Sequence, residues 1–217
     1  MDKNVLLKLL KGHGFKEPIL KAFEKVKREK FIPEKFKSEA YENYAIPLEE
    51  ESTISQPSTI AYMLNLLELK RGQKVLEIGS GCGYVLALIK EIIEEGIIYG
   101  MEISHNLVKQ SREYFKGYKE IFIINKDGYY GIDKIFRPLD RILVSAAYDK
   151  IPVHLYEQLN NQGILVAPVN NGKKDFNGRN LQSIFKIKKE NDKIIKEELK
   201  DNFIFVELRK NLYSRLN

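Results

Sequence analysis

The sequence predicts an α/β protein with a mostly parallel, doubly wound sheet, a helical N-terminal extension and antiparallel C-terminal strands. Three observations favour this fold. Short apolar runs typical of strands alternate with helical stretches at a spacing of roughly 20 to 25 residues. A glycine-rich turn follows the first of these runs, and the last part of the chain alternates without intervening helices, as antiparallel strands do.

Composition and charge are typical of one globular domain. Of the 217 residues, 43% are hydrophobic and 30% charged, values that exclude disordered and collagen-like chains. No apolar run approaches the ~20 residues that a membrane span needs, and the start of the chain does not resemble a secretory signal. We therefore expect a cytoplasmic protein, and a monomer because one core accounts for its apolar content.

The basic excess does not by itself predict a nucleic-acid partner. The chain carries 36 basic and 30 acidic side chains, a net charge of +6, but lysines and glutamates are interspersed along most of it. This pattern usually marks a solvated surface. Cys82 is the single cysteine and the three histidines lie far apart in the sequence, so we expect neither a disulfide nor a metal site.

The first third should be helical and irregular. Apolar residues recur at helical spacing within 5–10 and 19–26, which predicts two amphipathic helices before Pro33. The segment from Pro33 to Pro57 has tyrosines, prolines and an acidic run but little periodicity, which indicates a long structured loop. Ser58 should cap a helix that ends near Gly72.

The central part should supply the parallel sheet, with helices on both faces. We expect a single domain over 1–217, in which 1–57 form the extension, 58–170 the cofactor-binding core and 171–217 the C-terminal additions. The predicted strands are 74–78, 97–103, 121–125, 141–145 and 163–169, and the predicted helices are 84–94, 105–115 and 152–160. The antiparallel strands are expected at 181–188, 193–200 and 202–208.

The glycine-rich turn marks a candidate ligand site. Gly79, Gly81 and Gly83 follow the first strand directly and precede a helix, which is where open α/β sheets bind ligands. Their spacing matches neither the dinucleotide pattern G-x-G-x-x-G nor a phosphate loop ending in Gly-Lys-Ser/Thr. A triphosphate is therefore not expected, and a tight turn without a ligand is the alternative reading.

Three successive strand ends offer a carboxylate. Glu77 precedes the glycines, Glu102 ends the second strand, and Asp127 with Gly128 follows the third. An acidic residue at the end of the second strand accepts hydrogen bonds from ribose hydroxyls. A ligand with a ribose, a purine amino group and a free amino acid end would use all three carboxylates. S-adenosylmethionine is such a ligand.

The chain resembles the protein-L-isoaspartate (D-aspartate) O-methyltransferases from about position 26 to 206. The specific segments are Thr-Ile-Ser-Gln-Pro, the Ser-Ala-Ala after the fourth strand and Leu-Val-Ala-Pro-Val. The other matches are Val-Lys-Arg-Glu-Lys-Phe-Ile-Pro, Asp-Gly-Tyr-Tyr-Gly, Pro-Leu-Asp-Arg-Ile-Leu-Val and the glycine loop Val-Leu-Glu-Ile-Gly-Ser-Gly-Cys-Gly-Tyr, which alone indicates only a class I methyltransferase. The resemblance implies a class I methyltransferase with a Rossmann-like sheet of seven strands.

The resemblance also implies an activity and a set of site residues. The family methylates the free α-carboxylate of L-isoaspartyl residues in damaged proteins and peptides, and the ester then collapses to a succinimide. By position, Ser55 resembles the active-site serine, and Gln56 and Pro57 fall in the segment that folds over the cofactor. The implied cofactor contacts are Glu77, Gly79, Gly81, Gly83, Glu102, Asp127 and Gly128.

Departures from the family pattern cluster before Ser55. The family usually has Ile-Gly-x-Gly-Gln where this chain reads Leu-Glu-Glu-Glu-Ser over 48–52. Carboxylates beside the site of an anionic substrate would raise the cost of binding it, unless they point outward or pair with cations. Lys126 replaces a usual glycine, and Glu207 stands in the late Phe-Val-Pro-Leu segment in place of proline.

Two other functions compete with protein repair. A nucleic-acid methyltransferase is permitted by the charge, but no Asn/Asp-Pro-Pro-aromatic segment follows the fourth strand, and the chain has no basic and aromatic cluster of the kind that stacks bases. Cytosine carbon-5 methylation needs a thiol, and Cys82 lies inside the glycine loop. A non-catalytic module that binds S-adenosylmethionine is the second alternative, prompted by the acidic run.

Overall fold

The N-terminal part wraps one face of the protein with short helices and a hairpin. The structure, a computed structural model, describes residues 1–49, 51–191, 193–199 and 202–209. This part contains helices α1 (Lys3–Gly12) and α2 (Ile19–Lys25), two 3-10 helices (Arg28–Lys30 and Glu34–Glu39) and the hairpin of β1 (Ile46–Pro47) and β2 (Thr53–Ile54).

The remaining elements alternate as the sequence predicts. They are α3 (Pro57–Leu67), β3 (Lys74–Ile78), α4 (Tyr84–Ile93), β4 (Ile97–Glu102), α5 (His105–Tyr114), β5 (Ile121–Asn125), β6 (Leu139–Val144), α6 (Val153–Tyr156), β7 (Leu159–Lys174), β8 (Asn180–Glu190) and β9 (Lys193–Glu198). Two further 3-10 helices, Gly128–Tyr130 and Lys134–Phe136, lie between β5 and β6.

A seven-stranded sheet forms the centre of the fold, in the order β5-β4-β3-β6-β7-β8-β9. Neighbouring strands from β5 to β7 are parallel, whereas β8 and β9 are antiparallel additions at the β7 edge. This arrangement confirms the predicted fold class. The carboxyl ends of β3 to β6 meet at one edge, which positions the glycine loop there.

The two faces of the sheet are covered differently. Side chains alternate along β3, so Val75 joins the core beneath α1 to α4 while Leu76 joins a second core on the other face. The second core is closed by α6, a single turn of helix, and by the irregular segment 128–138 around Ile132. The predicted helical layer on both faces is therefore a full layer on one face only.

Helix α3 begins two residues earlier than predicted. Gln56 is its N-cap and Pro57 its first helical residue, whereas Ser58 was expected to cap it. Proline is suited to this position because it has no N–H to leave unpaired and its φ already matches a helix. Ser58 instead donates its backbone N–H to Asn43 Oδ1 at 3.0 Å.

Two C-terminal elements also differ from the prediction. Helix α6 is four residues long, because the chain from Leu159 already pairs with Leu139 of β6. The segment 202–208 forms isolated bridges rather than a third antiparallel strand. Phe203 pairs antiparallel with Gln182, and Glu207 pairs parallel with Ala147, so the segment changes partner midway and crosses the carboxyl edge.

Candidate active site

A cleft of about 930 Å³ lies at the carboxyl edge of the parallel strands. The ends of β3, β4 and β6 form its floor, and the β1–β2 hairpin, the start of α3 and the segment 202–209 form its walls. Its volume is at the upper end of what small-molecule sites need. Of the residues predicted to form the site, the cleft is lined by Ser55, Gln56, Gly79, Gly81, Glu102 and Gly128.

The glycine loop is held in left-handed backbone conformations. Gly79 has φ 77° and Gly81 has φ 52°, values that other residues rarely adopt. Gly83 serves packing, because a Cβ there would lie 2.6 Å from Ser111 Oγ and 2.7 Å from the Phe115 ring. Gly83 is the N-cap of α4 and lies outside the cleft lining.

Glu102 fixes the glycine loop to the end of β4. Its Oε2 accepts a hydrogen bond from the Gly81 backbone N–H at 2.8 Å, and its Oε1 accepts one from the Ser104 N–H at 2.9 Å. Each carboxylate oxygen can accept a second hydrogen bond. Glu102 therefore keeps the capacity to accept from the two hydroxyls of a ribose in the cleft.

Glu77 lies behind the loop, almost completely buried, with 1% of its surface exposed. Its Oε1 accepts a hydrogen bond from Ser145 Oγ at 2.7 Å, and its Oε2 has no hydrogen-bond partner among the described residues. Burial, with a smaller contribution from Glu102, raises the pKa of Glu77 to about 8. Glu77 lines a smaller cavity that also contacts Ser55 and Gly79, rather than the main cleft.

Asp127 and Gly128 shape the third strand end. Asp127 Oδ1 accepts a hydrogen bond from the Tyr129 N–H at 2.8 Å and so caps the following 3-10 turn. A Cβ on Gly128 would lie 2.4 Å from Ile78 Cγ2, so the turn can approach β3 only with glycine there. Gly128 lines the cleft, whereas Asp127 is not part of its lining.

A buried arginine that sequence reasoning missed fixes the backbone beside Ser55. The Arg28 guanidinium, with no exposed surface, donates hydrogen bonds to the carbonyl oxygens of Ser55 at 3.1 Å, Tyr44 at 3.3 Å and Glu42 at 3.4 Å. Burial lowers the pKa of Arg28. The arginine belongs to the Val-Lys-Arg-Glu-Lys segment of the resemblance, where neighbouring charges make it look like a surface residue.

Glu49 and Glu51 of the acidic run lie in the turn of the β1–β2 hairpin. Ser52 donates its N–H to the Glu49 carbonyl at 3.0 Å, and Glu51 has φ 60°, where the family pattern has glycine. Glu49 and Glu51 are exposed, while position 50 lies outside the described residues. Arg209 donates to Glu51 Oε2 at 3.5 Å. The described carboxylates of the run therefore face solvent and a cation.

The segment 202–209 closes the cleft on the side of the antiparallel strands, and no motif in the sequence indicates this. The buried Gln182 side chain accepts a hydrogen bond from the Phe205 N–H at 2.7 Å and donates one to Asn170 Oδ1 at 2.8 Å. Glu207 accepts from the Asn170 and Asn180 side-chain amides, both at 3.1 Å. Glutamine and asparagine amides thus attach this segment to the sheet.

The β7–β8 turn projects beside the same cleft. Asp175 Oδ1 accepts from the Asn177 and Arg179 N–H groups, both at 2.9 Å, and Arg179 Nε donates to Asp175 Oδ2 at 2.8 Å. Arg179 lines the cleft. Phe176 at the tip is 94% exposed, so the turn presents a bare aromatic ring on a well-bonded loop.

The described residues were also compared with the requirements of a thiol nucleophile, a metal site and a membrane-spanning helix. Burial raises the pKa of the Cys82 thiol to about 12, so the thiol is not a nucleophile at neutral pH. Within the described part of the chain, no group of three or more histidine, cysteine, aspartate or glutamate side chains is arranged to hold a metal ion. None of the helices in that part is long and apolar enough to span a membrane.

Fold and site together define a class I methyltransferase that uses S-adenosylmethionine. The left-handed glycine turn, the spare acceptor capacity of Glu102 and the unpartnered buried oxygen of Glu77 fit a cofactor with ribose hydroxyls and cationic groups. The family model described as Protein-L-isoaspartate(D-aspartate) O-methyltransferase (PCMT) matches residues 1–213, and the chain belongs to this family.

Relatives and solved structures agree with this assignment. A Protein-L-isoaspartate O-methyltransferase of Dictyoglomus turgidum is 39% identical over 197 residues, covering 89% of this chain and 85% of the relative. One from Petrotoga mobilis is 39% identical over 202 residues, covering 92% and 91%. A solved protein-L-isoaspartate O-methyltransferase superimposes with a TM-score of 0.84 at 30% identity, over 97% of this chain and 67% of the other.

A second solved structure carries a ligand. It is a putative protein-L-isoaspartate O-methyltransferase from Plasmodium falciparum in complex with S-adenosyl-L-homocysteine. It superimposes with a TM-score of 0.80 at 26% identity, covering 97% of this chain and 100% of that one.

Proposed function

We propose that this chain transfers a methyl group from S-adenosylmethionine to the free α-carboxylate of L-isoaspartyl residues in damaged proteins and peptides. The resulting ester collapses to a succinimide, which hydrolyses in part to normal aspartate. The observation that carries the proposal is the cleft itself, which joins Ser55 to the glycine loop and Glu102 in one space. Family membership supports it, as do two relatives named Protein-L-isoaspartate O-methyltransferase, each 39% identical to this chain.

The residues that would hold the cofactor are those at the carboxyl strand ends. Gly79 and Gly81 would let it approach the backbone, Glu102 would accept from ribose hydroxyls, and Glu77 would face its cationic amino acid end. Asp127 and Gly128 would shape the region of the base. When bound, S-adenosylmethionine supplies an electrophilic methyl group, whose bond to sulfur breaks as the substrate carboxylate attacks.

The chain needs to supply position rather than a base. An α-carboxylate is ionised at neutral pH, so its attack requires no proton removal. Holding two reactants in line can lower a barrier by roughly 7 to 11 kcal/mol. Ser55, whose carbonyl is fixed by Arg28, would donate its hydroxyl hydrogen to the substrate carboxylate, and Gln56 and Pro57 would hold the adjoining segment over the cofactor.

The direct test compares two peptides that differ only in L-isoaspartate against L-aspartate, with labelled S-adenosylmethionine as methyl donor. We expect turnover on the isoaspartyl peptide alone. Ser55→Ala should lower kcat/KM by about 10- to 100-fold, because it removes one hydrogen bond to a charged group. Ser38→Ala is the matched control, since Ser38 is exposed on a 3-10 helix outside the cleft.

Other results would redirect the proposal. Cofactor binding without methylation of any isoaspartyl peptide would contradict it and favour a non-catalytic S-adenosylmethionine-binding module. Methylation of RNA in place of the peptide would favour a nucleic-acid methyltransferase. An unchanged kcat/KM in Ser55→Ala would be compatible with the proposed reaction but would show that Ser55 has no role in it.

We further propose that the protein works as a monomer in the cytoplasm. Most buried apolar residues of the described chain fall into two clusters on the two faces of one sheet, which supports a core that is complete within one chain. Light scattering at micromolar concentration tests the monomer, and the recovery of activity in cell fractions tests the compartment.

A further inference from the structure

An ion pair links the two walls of the cleft at its rim. Glu51, in the β1–β2 turn, accepts from Arg209, in the segment that follows β9, with 3.5 Å between Oε2 and the guanidinium nitrogen. Arg209 lines the cleft, as do Ser52 and Thr53 next to Glu51. The pair therefore lies at the rim, between the β1–β2 turn and the segment 202–209.

Among the ion pairs that the structure describes for the cations of the cleft, this pair is the longest and contains the most exposed carboxylate. Lys126 and Arg179 also line it, but they hold Asp133 and Asp175 at 2.8 Å and 2.7 Å. Glu51 is 93% exposed, so water and salt weaken its attraction to Arg209. An anion that enters the cleft can therefore replace Glu51 as a partner of Arg209 at a small cost in electrostatic free energy.

We propose that Glu51 and the α-carboxylate of the substrate compete for Arg209. This inference rests on the proposed function, which supplies an anionic substrate. Arg209 is then a substrate-binding residue, and Glu51 is an internal competitor that occupies it when no peptide is bound. The exchange also accounts for how a hairpin with acidic residues at 49 and 51 tolerates an anionic substrate.

The same exchange assists release of the product. In methyl transfer a carboxylate oxygen bonds to the methyl carbon, the carbon–sulfur bond breaks with its electron pair left on sulfur, and no proton moves. The substrate carboxylate thereby becomes a neutral ester. Arg209 loses its anionic partner in the cleft and returns to Glu51.

A double-mutant cycle on KM for the isoaspartyl peptide tests the exchange. Glu51→Gln should lower KM by about 2- to 5-fold, the size expected for an exposed ion pair, and glutamine keeps the side-chain length at this left-handed position. Arg209→Gln should raise KM by about 10-fold or more. In the double variant, Glu51→Gln should bring no further decrease, because its effect acts through Arg209.

Glu49→Gln is the matched control. It removes the same charge from the same turn, and Glu49 is exposed and makes no ion pair with the residues that the structure describes. We expect it to change the peptide KM by less than about 1.5-fold. The KM for S-adenosylmethionine should stay constant in all four variants.

Several outcomes would overturn the inference. Equal effects of Glu49→Gln and Glu51→Gln would indicate a general charge effect, and a persistent effect of Glu51→Gln in the Arg209→Gln background would separate Glu51 from the arginine. A shift in the cofactor KM instead of the peptide KM would assign Arg209 to the cofactor carboxylate. A wild-type protein that methylates no isoaspartyl peptide would overturn the proposed function and this inference together.

Discussion

The buried carboxyl of Glu77 makes the free energy of unfolding depend on pH. Its pKa of about 8 in the folded protein lies above its ordinary value, so between about pH 4.5 and 8 the folded state keeps a proton that the unfolded state has released. The free energy of unfolding contributed by Glu77 is therefore highest at low pH. It falls as the pH rises towards 8 and then stays constant.

We expect Glu77→Gln to remove this dependence. The free energy of unfolding of the variant, relative to wild type, should rise with pH by at most about 1.4 kcal/mol per pH unit between pH 4.5 and 8. Urea denaturation at about pH 5, 6.5 and 8 measures it. If the free energies of unfolding of the two proteins changed in parallel with pH, the prediction would be wrong, and the Glu77 carboxyl would have the same pKa in the folded and unfolded states.

The role of a site residue can be predicted from the sequence only where that role depends on its immediate neighbours in the chain. The glycines and carboxylates of the loop predict a cofactor site, because positive φ angles and carboxylates at strand ends can be recognised from a short stretch of sequence. Arg28 carries no such signal, since its role depends on three carbonyl groups that only the folded loop brings together. Glu51 is the opposite case, because its positive φ explains why glycine is usual at that position.

At the scale of elements, Gln182 positions the segment that closes the cleft. Gln182→Ala removes its hydrogen bonds to the Phe205 N–H and to Asn170, and so leaves two half-buried groups without these partners. We expect KM for the isoaspartyl peptide to rise by about 5-fold or more, while the cofactor Kd changes less. Amide exchange over 203–208 should quicken in the same variant.

Gln110→Ala supplies the comparison, because Gln110 is exposed on α5 away from the cleft. It should leave both the peptide KM and the exchange rates unchanged. Faster exchange over 203–208 without any change in KM would mean that the segment does not contribute to peptide binding.

Elements were predicted well where their signal is local. Strands β3 and β5 begin and end where the apolar runs do, and β4 ends one residue early. The error at 202–208 has a physical cause: its alternation is real, but a strand is defined by its partners, and this segment pairs first with β8 and then with the chain after β6. Sequence alternation carries no information on a change of partner.

For the whole molecule, we expect one cooperative unfolding transition. Leu6, Leu10 and Phe23 of the N-terminal helices are 2% exposed or less and share a core with Val75 of the central sheet. The extension over 1–57 is thus predicted to unfold with the core rather than before it. Far-ultraviolet and near-ultraviolet circular dichroism should give coincident urea transitions.

Removal of residues 1–26 should then abolish the folded state, because it exposes the apolar faces of α3 and α4. A shortened chain that still unfolds cooperatively would indicate an independent core, as would separate transitions of the full chain. The division into 1–57, 58–170 and 171–217 stays a prediction, and 210–217 lie outside the described residues.

The bare ring at the tip of the β7–β8 turn has a practical consequence. The sequence contains no tryptophan, so Phe176→Trp would give the protein a single indole emitter. The ring there is 94% exposed and stands on a turn that Asp175 and Arg179 hold beside the cleft. Its emission wavelength would follow the solvation of this rim alone, and peptide arrival could be timed optically without any label on the substrate.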